Sequence, residues 1–300
     1  MKKFTELGVS PDFVKGLADL DIYEPTDIQK RVIPLLLSGA TDMVAQAQTG
    51  TGKTAAYGLP LLEKMDPEIK IVQGLILCPT RELAKQVAKQ LFKFTKYSAK
   101  IFTEAVYGGE QIDRQISALH RPTHIVVATP GRLIDLVRRK AVDLRKVKTV
   151  ILDEADEMLS MGFKEELDEI LGFLPAIENK WLFSATMPQG IQQIISKHLA
   201  KDAERIEVRR EDTVNKNISH QYQTCLDSEK LYALQKFLKS EDQNRGVIFC
   251  RTKAATKKLT LQLIAKNIAT DAIHGDLMQK ERDKVMRAFK NETIRVLVAT

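Results

Sequence analysis

Residues 42–54 set the architecture of this chain and read Asp42-Met43-Val44-Ala45-Gln46-Ala47-Gln48-Thr49-Gly50-Thr51-Gly52-Lys53-Thr54. A short apolar run leads there into a glycine-containing loop, and a helical pattern follows the loop. Glycines let a backbone wrap around phosphate groups, and the first amides of a helix point at them. Every residue from Ala47 to Thr54 is therefore predicted to contact a nucleotide, with Lys53 on the terminal phosphates and Thr54 on Mg²⁺.

Apolar runs of the same kind recur along the chain and end in polar or glycine-containing segments. They are Asp42–Ala47, Gly74–Thr80, His124–Pro130, Thr149–Asp156, Lys180–Thr186, Gly246–Thr252, Thr270–Asp276 and Ile294–Thr300. Helical patterns separate them, at Thr80–Tyr97, Ser228–Lys239 and Lys253–Lys266. Strands that alternate with helices predict an α/β fold with a parallel sheet, whose ligands bind at the carboxyl ends of the strands.

An acidic pair follows one of these runs. Asp153 and Glu154 come directly after Thr149-Val150-Ile151-Leu152, and a phosphate loop needs such a second, acidic strand end. Asp153 is predicted to hold Mg²⁺ through water and Glu154 to polarise the attacking water. The guanine-reading pattern Asn-Lys-x-Asp is absent, so ATP is the predicted nucleotide. Two alternatives without a catalytic role stay open. The glycine-containing segment could be a plain loop, since its first residue is Ala47 in place of the usual glycine, and Asp153-Glu154 could be an acidic helix start.

Composition excludes several classes of protein. The chain has 300 residues, of which 44% are hydrophobic, and its net charge is +7. No apolar run approaches the ~20 residues that span a bilayer, and no secretory signal opens the chain, so a soluble cytoplasmic protein is expected. The three cysteines are far apart, which argues against a disulfide framework and against zinc. Basic blocks at 51–150 and 251–300 flank an acidic block at 151–200, a pattern that fits a polyanion partner or solvated helix faces.

The strand–helix pattern predicts two domains. We expect an N-terminal domain at 1–207, a linker at 208–217 in a charged segment without apolar periodicity, and a partial C-terminal domain at 218–300. The chain stops inside its last strand pattern, which favours a truncated second domain over a naturally small one.

With Asp153-Glu154-Ala155-Asp156 the chain resembles the DEAD-box RNA helicases of superfamily 2, and the resemblance runs from Phe4 to Thr300. Within that family it is most similar to the bacterial cold-shock group of DeaD/CsdA type. The resemblance implies two RecA-like domains, the second incomplete here, that close over ATP, Mg²⁺ and RNA. It also implies that the last motif, with its arginine fingers, is missing, so that residues 1–300 alone bind ATP but hydrolyse it weakly or not at all.

The resemblance assigns further residues to the site. Gln29 would read the adenine edge and Phe4 would stack on its ring, whereas without the resemblance they would be a surface residue and a core anchor. Ser184 and Thr186 would act with Lys53, Asp153 and Glu154 by coupling hydrolysis to strand separation through hydrogen bonds to the acidic motif. The residues assigned to the RNA backbone are Pro79, Thr80, Arg81, Gly108, Gly109, Thr129, Pro130, Gly131, Arg132, Arg251, Thr252, Gly275, Gln279, Arg282 and Thr300. Each RNA motif, taken alone, would be a helix cap or turn.

The activity that the resemblance implies is ATP-dependent separation of short RNA duplexes, largely independent of sequence because backbone contacts carry no base information. The alternative is an RNA clamp or scaffold that uses ATP only to lock onto RNA. A DNA helicase is disfavoured by the Glu24–Gln29 motif and by Pro79-Thr80-Arg81-Glu82-Leu83. Ribosomal or RNA-decay proteins would be partners through segments outside this chain.

Overall fold

The chain forms two compact units. A computed structural model describes residues 3–39, 42–208, 218–241 and 244–300. The units are Met1–Glu211 and Asp212–Thr300. The predicted linker lies, apart from Val208, outside the described residues.

The first unit alternates strands with helices from residue 43 onward. Its strands are β1 (Met43–Gln46), β2 (Gly74–Leu77), β3 (Thr103–Val106), β4 (Ile125–Ala128), β5 (Thr149–Leu152), β6 (Asn179–Ser184) and β7 (Glu204–Glu207). Its helices are α1 (Pro11–Ala18), α2 (Asp27–Leu37), α3 (Lys53–Glu63), α4 (Arg81–Phe94), α5 (Ile112–Leu119), α6 (Pro130–Arg138), α7 (Ala155–Ser160), α8 (Lys164–Gly172) and α9 (Gln189–His198). Short 3-10 helices cover Phe4–Leu7 and Thr95–Tyr97.

In the described residues these strands form one parallel sheet of order β3-β4-β2-β5-β6-β1-β7, named the large sheet below. All five apolar runs predicted in this part of the chain are strands of it. The prediction did not include β3 or β7. Both are edge strands with mostly accessible side chains, so they lack the continuous apolar run of a strand buried on both faces.

Two apolar cores sandwich the large sheet because neighbouring residues of each strand point to opposite faces. Ile76 and Trp181 pack on one face, against buried residues of α1 to α4. Leu75, Leu77 and Leu182 pack on the other, against buried residues of α6 to α9. The helices therefore cover both faces, as the unbroken apolar runs predicted.

The second unit has a smaller parallel sheet of order β8-β10-β9 in its described part. Its strands are β8 (Gly246–Phe249), β9 (Thr270–Ile273) and β10 (Val296–Ala299), and its helices are α10 (Lys230–Ser240), α11 (Lys253–Ile264) and α12 (Gln279–Lys290), with a 3-10 helix at Asp227–Glu229. All three predicted strands and both predicted helices are present. The core is small, with Leu238, Leu263, Val296 and Val298 buried together. None of the described helices of either unit is both long and apolar enough to cross a membrane.

Candidate functional site

Strand order divides the carboxyl edge of the large sheet into two halves. The neighbours β5, β6 and β1 end at Asp153, Ser184 and the phosphate loop, so the predicted nucleotide residues lie side by side. The neighbours β3, β4 and β2 lead into the predicted RNA residues Gly108, Thr129 and Thr80. Because the carboxyl ends of parallel strands meet at one edge of the sheet, both sets of residues lie at that edge.

The phosphate loop folds as a turn against α2. Gly52 has φ +90°, and a Cβ there would lie 2.4 Å from Nε2 of Gln29, so only glycine fits this close approach. The Thr26 hydroxyl donates to Thr51 O (2.8 Å) and the Thr51 hydroxyl to Gln48 O (2.8 Å). These contacts hold the exposed loop residues, Gln48 to Gly50, at the sheet edge.

Lys53 is placed to receive an anion. Its side chain is 6% exposed at the start of α3, and among the described residues its ammonium group has no hydrogen-bond partner. Burying a charge without a partner costs free energy, so a negative group such as phosphate would stabilise the Lys53 ammonium. Ala47, by contrast, is a core residue whose amide donates to Ser184 O (3.0 Å).

Asp153 and Glu154 form the acidic part of the site. Burial raises the pKa of Asp153, and burial together with Asp153 raises the pKa of Glu154. Glu154 has φ +51°, a conformation that non-glycine residues adopt at a cost of about 1–3 kcal/mol and that concentrates at functional sites. Carboxylate and hydroxyl oxygens are suitable Mg²⁺ donors, so Asp153 and Thr54 fit the predicted ion.

Asp156 joins the acidic motif to the end of β6. It accepts hydrogen bonds from the amide (2.8 Å) and hydroxyl (2.7 Å) of Thr186. The Ser184 hydroxyl accepts from the Asp156 amide (3.3 Å) and donates to Thr186 O (2.7 Å). The hydrogen bonds expected between these motifs are therefore present, and the coupling role of Ser184 and Thr186 stays a prediction.

The two predicted adenine contacts differ in their surroundings. Gln29 is buried, and its amide accepts from Thr26 N (2.9 Å) and donates to Gly52 O (3.0 Å). Within the described part of the chain, one lone pair and one N–H of that amide have no further partner, which is what reading an adenine edge requires. Phe4 is 1% exposed and packs in the first core. This burial agrees with the core-anchor interpretation of Phe4, and stacking on adenine stays a prediction.

The RNA-motif residues of the large sheet form a connected cluster. Thr80 caps α4, accepting from Leu83 N (3.3 Å), and the Arg81 guanidinium lies against Gly109. Arg132 donates to Gln115 Oε1 (2.8 Å) and to Glu110 O (3.1 Å). Pro79, Thr129 and Pro130 are buried, whereas Gly109 and Gly131 are exposed and Gly108 is intermediate.

Arg132 thus holds the segment at Glu110, directly after Gly108 and Gly109, in addition to the RNA-backbone contact that the resemblance implies. Its partner Gln115 is buried and also donates to Tyr107 O (3.0 Å). Gln115, which lies in α5, therefore contacts both Arg132 and the residue that follows β3.

The RNA-motif residues of the second unit lie at the carboxyl edge of the smaller sheet. Arg251 and Thr252 follow β8, Gly275 follows β9, and Thr300 follows β10. Thr252 caps α11 by accepting from Ala255 N (3.1 Å). At the start of α12, Gln279 donates to Asp283 (2.9 Å) and Arg282 lies near His274 O (3.5 Å).

The sequence assigned no individual role to three side chains of the site, although hydrogen bonds to the motif that contains Asp156 were expected. Tyr57 donates to Asp153, Asp156 holds the end of β6, and Gln115 holds Arg132. Tyr57 lies one helical turn after Thr54, which was the available signal for it. The partners of Asp156 and Gln115 are distant in sequence, so no local pattern announces them.

The parallel sheet and its phosphate loop define a RecA-like α/β domain. The chain belongs to the DEAD/DEAH box helicase family, because the model of that family matches residues 26–194, more than half of the chain. A second family model, the helicase conserved C-terminal domain, matches residues 229–300.

Named relatives and solved structures agree with this membership. The DEAD-box ATP-dependent RNA helicase CshA of Bacillus cereus is 42% identical over 300 residues, 100% of this chain and 57% of the relative. RNA helicase CrhR of Synechocystis sp. is 44% identical over 298 residues, 99% of this chain and 60% of the relative. The chain therefore spans little more than half the length of these curated relatives.

Among solved structures, S. cerevisiae Dbp5 bound to RNA and ADP BeF3 aligns with a TM-score of 0.88 and 31% identity, over 100% of this chain and 76% of that one. A DEAD box protein of Methanococcus jannaschii aligns with a TM-score of 0.66 and 40% identity, over 99% and 80%.

Proposed function

We propose that this chain is the ATP- and RNA-binding core of an ATP-dependent RNA helicase that separates short duplexes during ATP hydrolysis. The observation that carries the proposal is the buried Lys53 ammonium, which no described group of the chain hydrogen-bonds, beside Asp153 and Glu154. A buried ammonium that lacks a hydrogen-bond partner is stabilised when phosphate binds to it, and the two carboxylates beside it are stabilised when a divalent cation binds to them.

Each residue would have a separate role that follows from its position in the site. Lys53 and the loop amides would bind the phosphates, and Thr54 with Asp153 would hold Mg²⁺, which neutralises charge on the phosphate oxygens when it is bound. Glu154 would orient and polarise the attacking water, and its carboxylate must be ionised for that purpose. Gln29 would use its free lone pair and N–H on adenine.

RNA would lie along the other half of the carboxyl edge. The exposed Gly109 and Gly131 and the arginines beside them suit contacts to phosphate and sugar rather than to bases. Support also comes from the relative Dbp5, whose structure is described as bound to RNA. A cytoplasmic location and ribosomal or RNA-decay partners stay predictions, testable by fractionation and co-purification.

Two substitutions in the full-length protein test the nucleotide site. Lys53→Ala should weaken binding of a fluorescent ATP analogue about 10- to 100-fold, the equivalent of a charged hydrogen bond worth about 1.5–3 kcal/mol. Glu154→Gln should keep that affinity and lose RNA-stimulated ATPase about 10²- to 10⁴-fold.

The matched control is Lys64→Ala, because Lys64 lies at the other end of α3 and donates to Gly39 O (2.9 Å). It should leave nucleotide affinity unchanged. Full RNA-stimulated turnover in the Glu154→Gln variant would contradict the assignment. A strand-displacement assay on a short RNA duplex separates a helicase from a clamp, since a clamp would bind RNA with ATP and release no strand.

A further inference from the structure

One buried side chain contacts Asp153, one of the two residues predicted to hold Mg²⁺. Tyr57 lies in α3, where it is 0% exposed, and its hydroxyl donates to Oδ2 of Asp153 (2.7 Å). The Thr54 side chain lies near the same phenol. Thr54 and Tyr57 are one helical turn apart, so both face the end of β5.

The ring of Tyr57 is held independently of its hydroxyl. It packs edge-on against Phe183 of β6, with ring centroids 5.1 Å apart, inside the first core. The phenol oxygen is thus a fixed point between the helix that follows the phosphate loop and the acidic end of β5. A neutral phenol can donate one hydrogen bond and accept another at the same oxygen.

The hydrogen bond to Tyr57 orients the Asp153 carboxylate. Oδ2 accepts from Tyr57, and Oδ1 accepts from the Glu154 amide (3.1 Å). Both carboxylate oxygens are therefore held, and each keeps a lone pair for water or metal. Groups that orient a metal ligand in this way usually change metal affinity when they are removed.

We propose that Tyr57 is a positioning residue, whose hydroxyl orients the Asp153 carboxylate toward Mg²⁺ bound with a nucleotide. This rests on the proposed ATP-binding function. In this proposal Tyr57 touches neither nucleotide nor ion and acts through the Asp153 carboxylate.

Tyr57→Phe tests the inference, because it removes one oxygen and keeps the ring that packs on Phe183. The readout is binding of a fluorescent ADP analogue to the full-length protein, titrated with Mg²⁺ and repeated in EDTA. The Mg²⁺ concentration for half-maximal enhancement should rise about 10-fold, and affinity in EDTA should stay within about 2-fold of wild type.

Tyr97→Phe is the matched control, since Tyr97 also donates to an aspartate, Asp19 (2.9 Å), on an exposed part of the same unit. It should leave the Mg²⁺ titration unchanged. An unchanged titration in Tyr57→Phe would overturn the inference, and so would an equal loss of affinity with and without Mg²⁺ or a loss of folding, because both indicate a purely structural hydroxyl.

Lys53→Ala in the same assay separates the two proposals. If it lowers nucleotide affinity while Tyr57→Phe changes nothing, only the role of Tyr57 is wrong. If Lys53→Ala also changes nothing, the nucleotide site itself is wrong.

Discussion

Replacing Gly109 with alanine should destabilise the first unit, whereas the same change at Gly108 should not. Gly109 has φ +81°, and a Cβ there would lie 2.0 Å from Nη1 and 2.6 Å from Cζ of Arg81. At Gly108 no described atom comes within 4 Å of the same point, and φ is not positive. The neighbouring glycines therefore form a matched pair for measuring folding stability.

The expected magnitude has two parts. Alanine in a left-handed conformation costs about 1–2 kcal/mol relative to a right-handed one. Arg81 must also move, and forcing a flexible side chain away from its rotamer costs about 0.5–1.5 kcal/mol. Gly109→Ala should thus lower the free energy of unfolding by about 2 kcal/mol, while Gly108→Ala should change it by less than about 1 kcal/mol.

Trp181 provides the assay because it is the single tryptophan of the chain and is fully buried in β6. Urea unfolding followed by its fluorescence reports on the first unit. A second comparison in an Arg81→Ala background removes the guanidinium, so Gly109→Ala should then cost only the backbone part, about 1–2 kcal/mol. Such a double-mutant cycle isolates the contact between the two residues.

RNA affinity gives an independent readout. In the Gly109→Ala variant, displacement of Arg81 should weaken binding of a fluorescent single-stranded RNA about 10-fold, because one charged contact of about 1.4 kcal/mol is lost. The affinity for nucleotide should not change. Equal unfolding free energies for the Gly108→Ala and Gly109→Ala variants, within about 0.3 kcal/mol, would refute the reasoning.

Two further predictions concern the same unit. Gln115→Ala should weaken RNA binding about 10-fold with unchanged nucleotide affinity, because Arg132 loses a buried partner; anisotropy with labelled RNA measures this, and equal loss of both affinities would contradict it. Burial holds the pKa of His124 below its usual 6.5, and its Nδ1 accepts from Phe102 N (2.9 Å). The unfolded chain therefore takes up the proton first, so the unfolding free energy should fall as pH drops below 6.5, by at most about 1.4 kcal/mol per pH unit. His124→Asn keeps an acceptor and should lose this slope in Trp181-monitored urea unfolding; a slope unchanged by the substitution would rule out His124 as its source.

Central strands could be predicted from sequence, and edge strands could not. Continuous apolar runs mark β2, β4, β5 and β6, which are buried on both faces, so these strands can be predicted from the local sequence. At the sheet edges, β7 reads Glu204-Arg205-Ile206-Glu207 and only Ile206 is buried. Such a strand is specified by its pairing with β1, which local periodicity does not record.

The candidate site divides in the same way. Lys53, Asp153 and Glu154 could be predicted because each follows an apolar run and carries a side chain suited to phosphate, metal or water. The burial of Gln29, which taken alone would be a surface residue, could not, because it depends on contact with Gly52, 23 residues away.

By itself the sequence determined which segments become strands and which polar residues end them, since burial on both faces and the chemistry of phosphate binding act locally. Only the tertiary structure decided the strand order, which puts the nucleotide residues on β5, β6 and β1 and the RNA motifs on β3, β4 and β2. It also decided the contact of Tyr57 with Asp153, 96 residues away. The physical reason is that crossover connections and helix packing choose neighbours among strands that look alike locally.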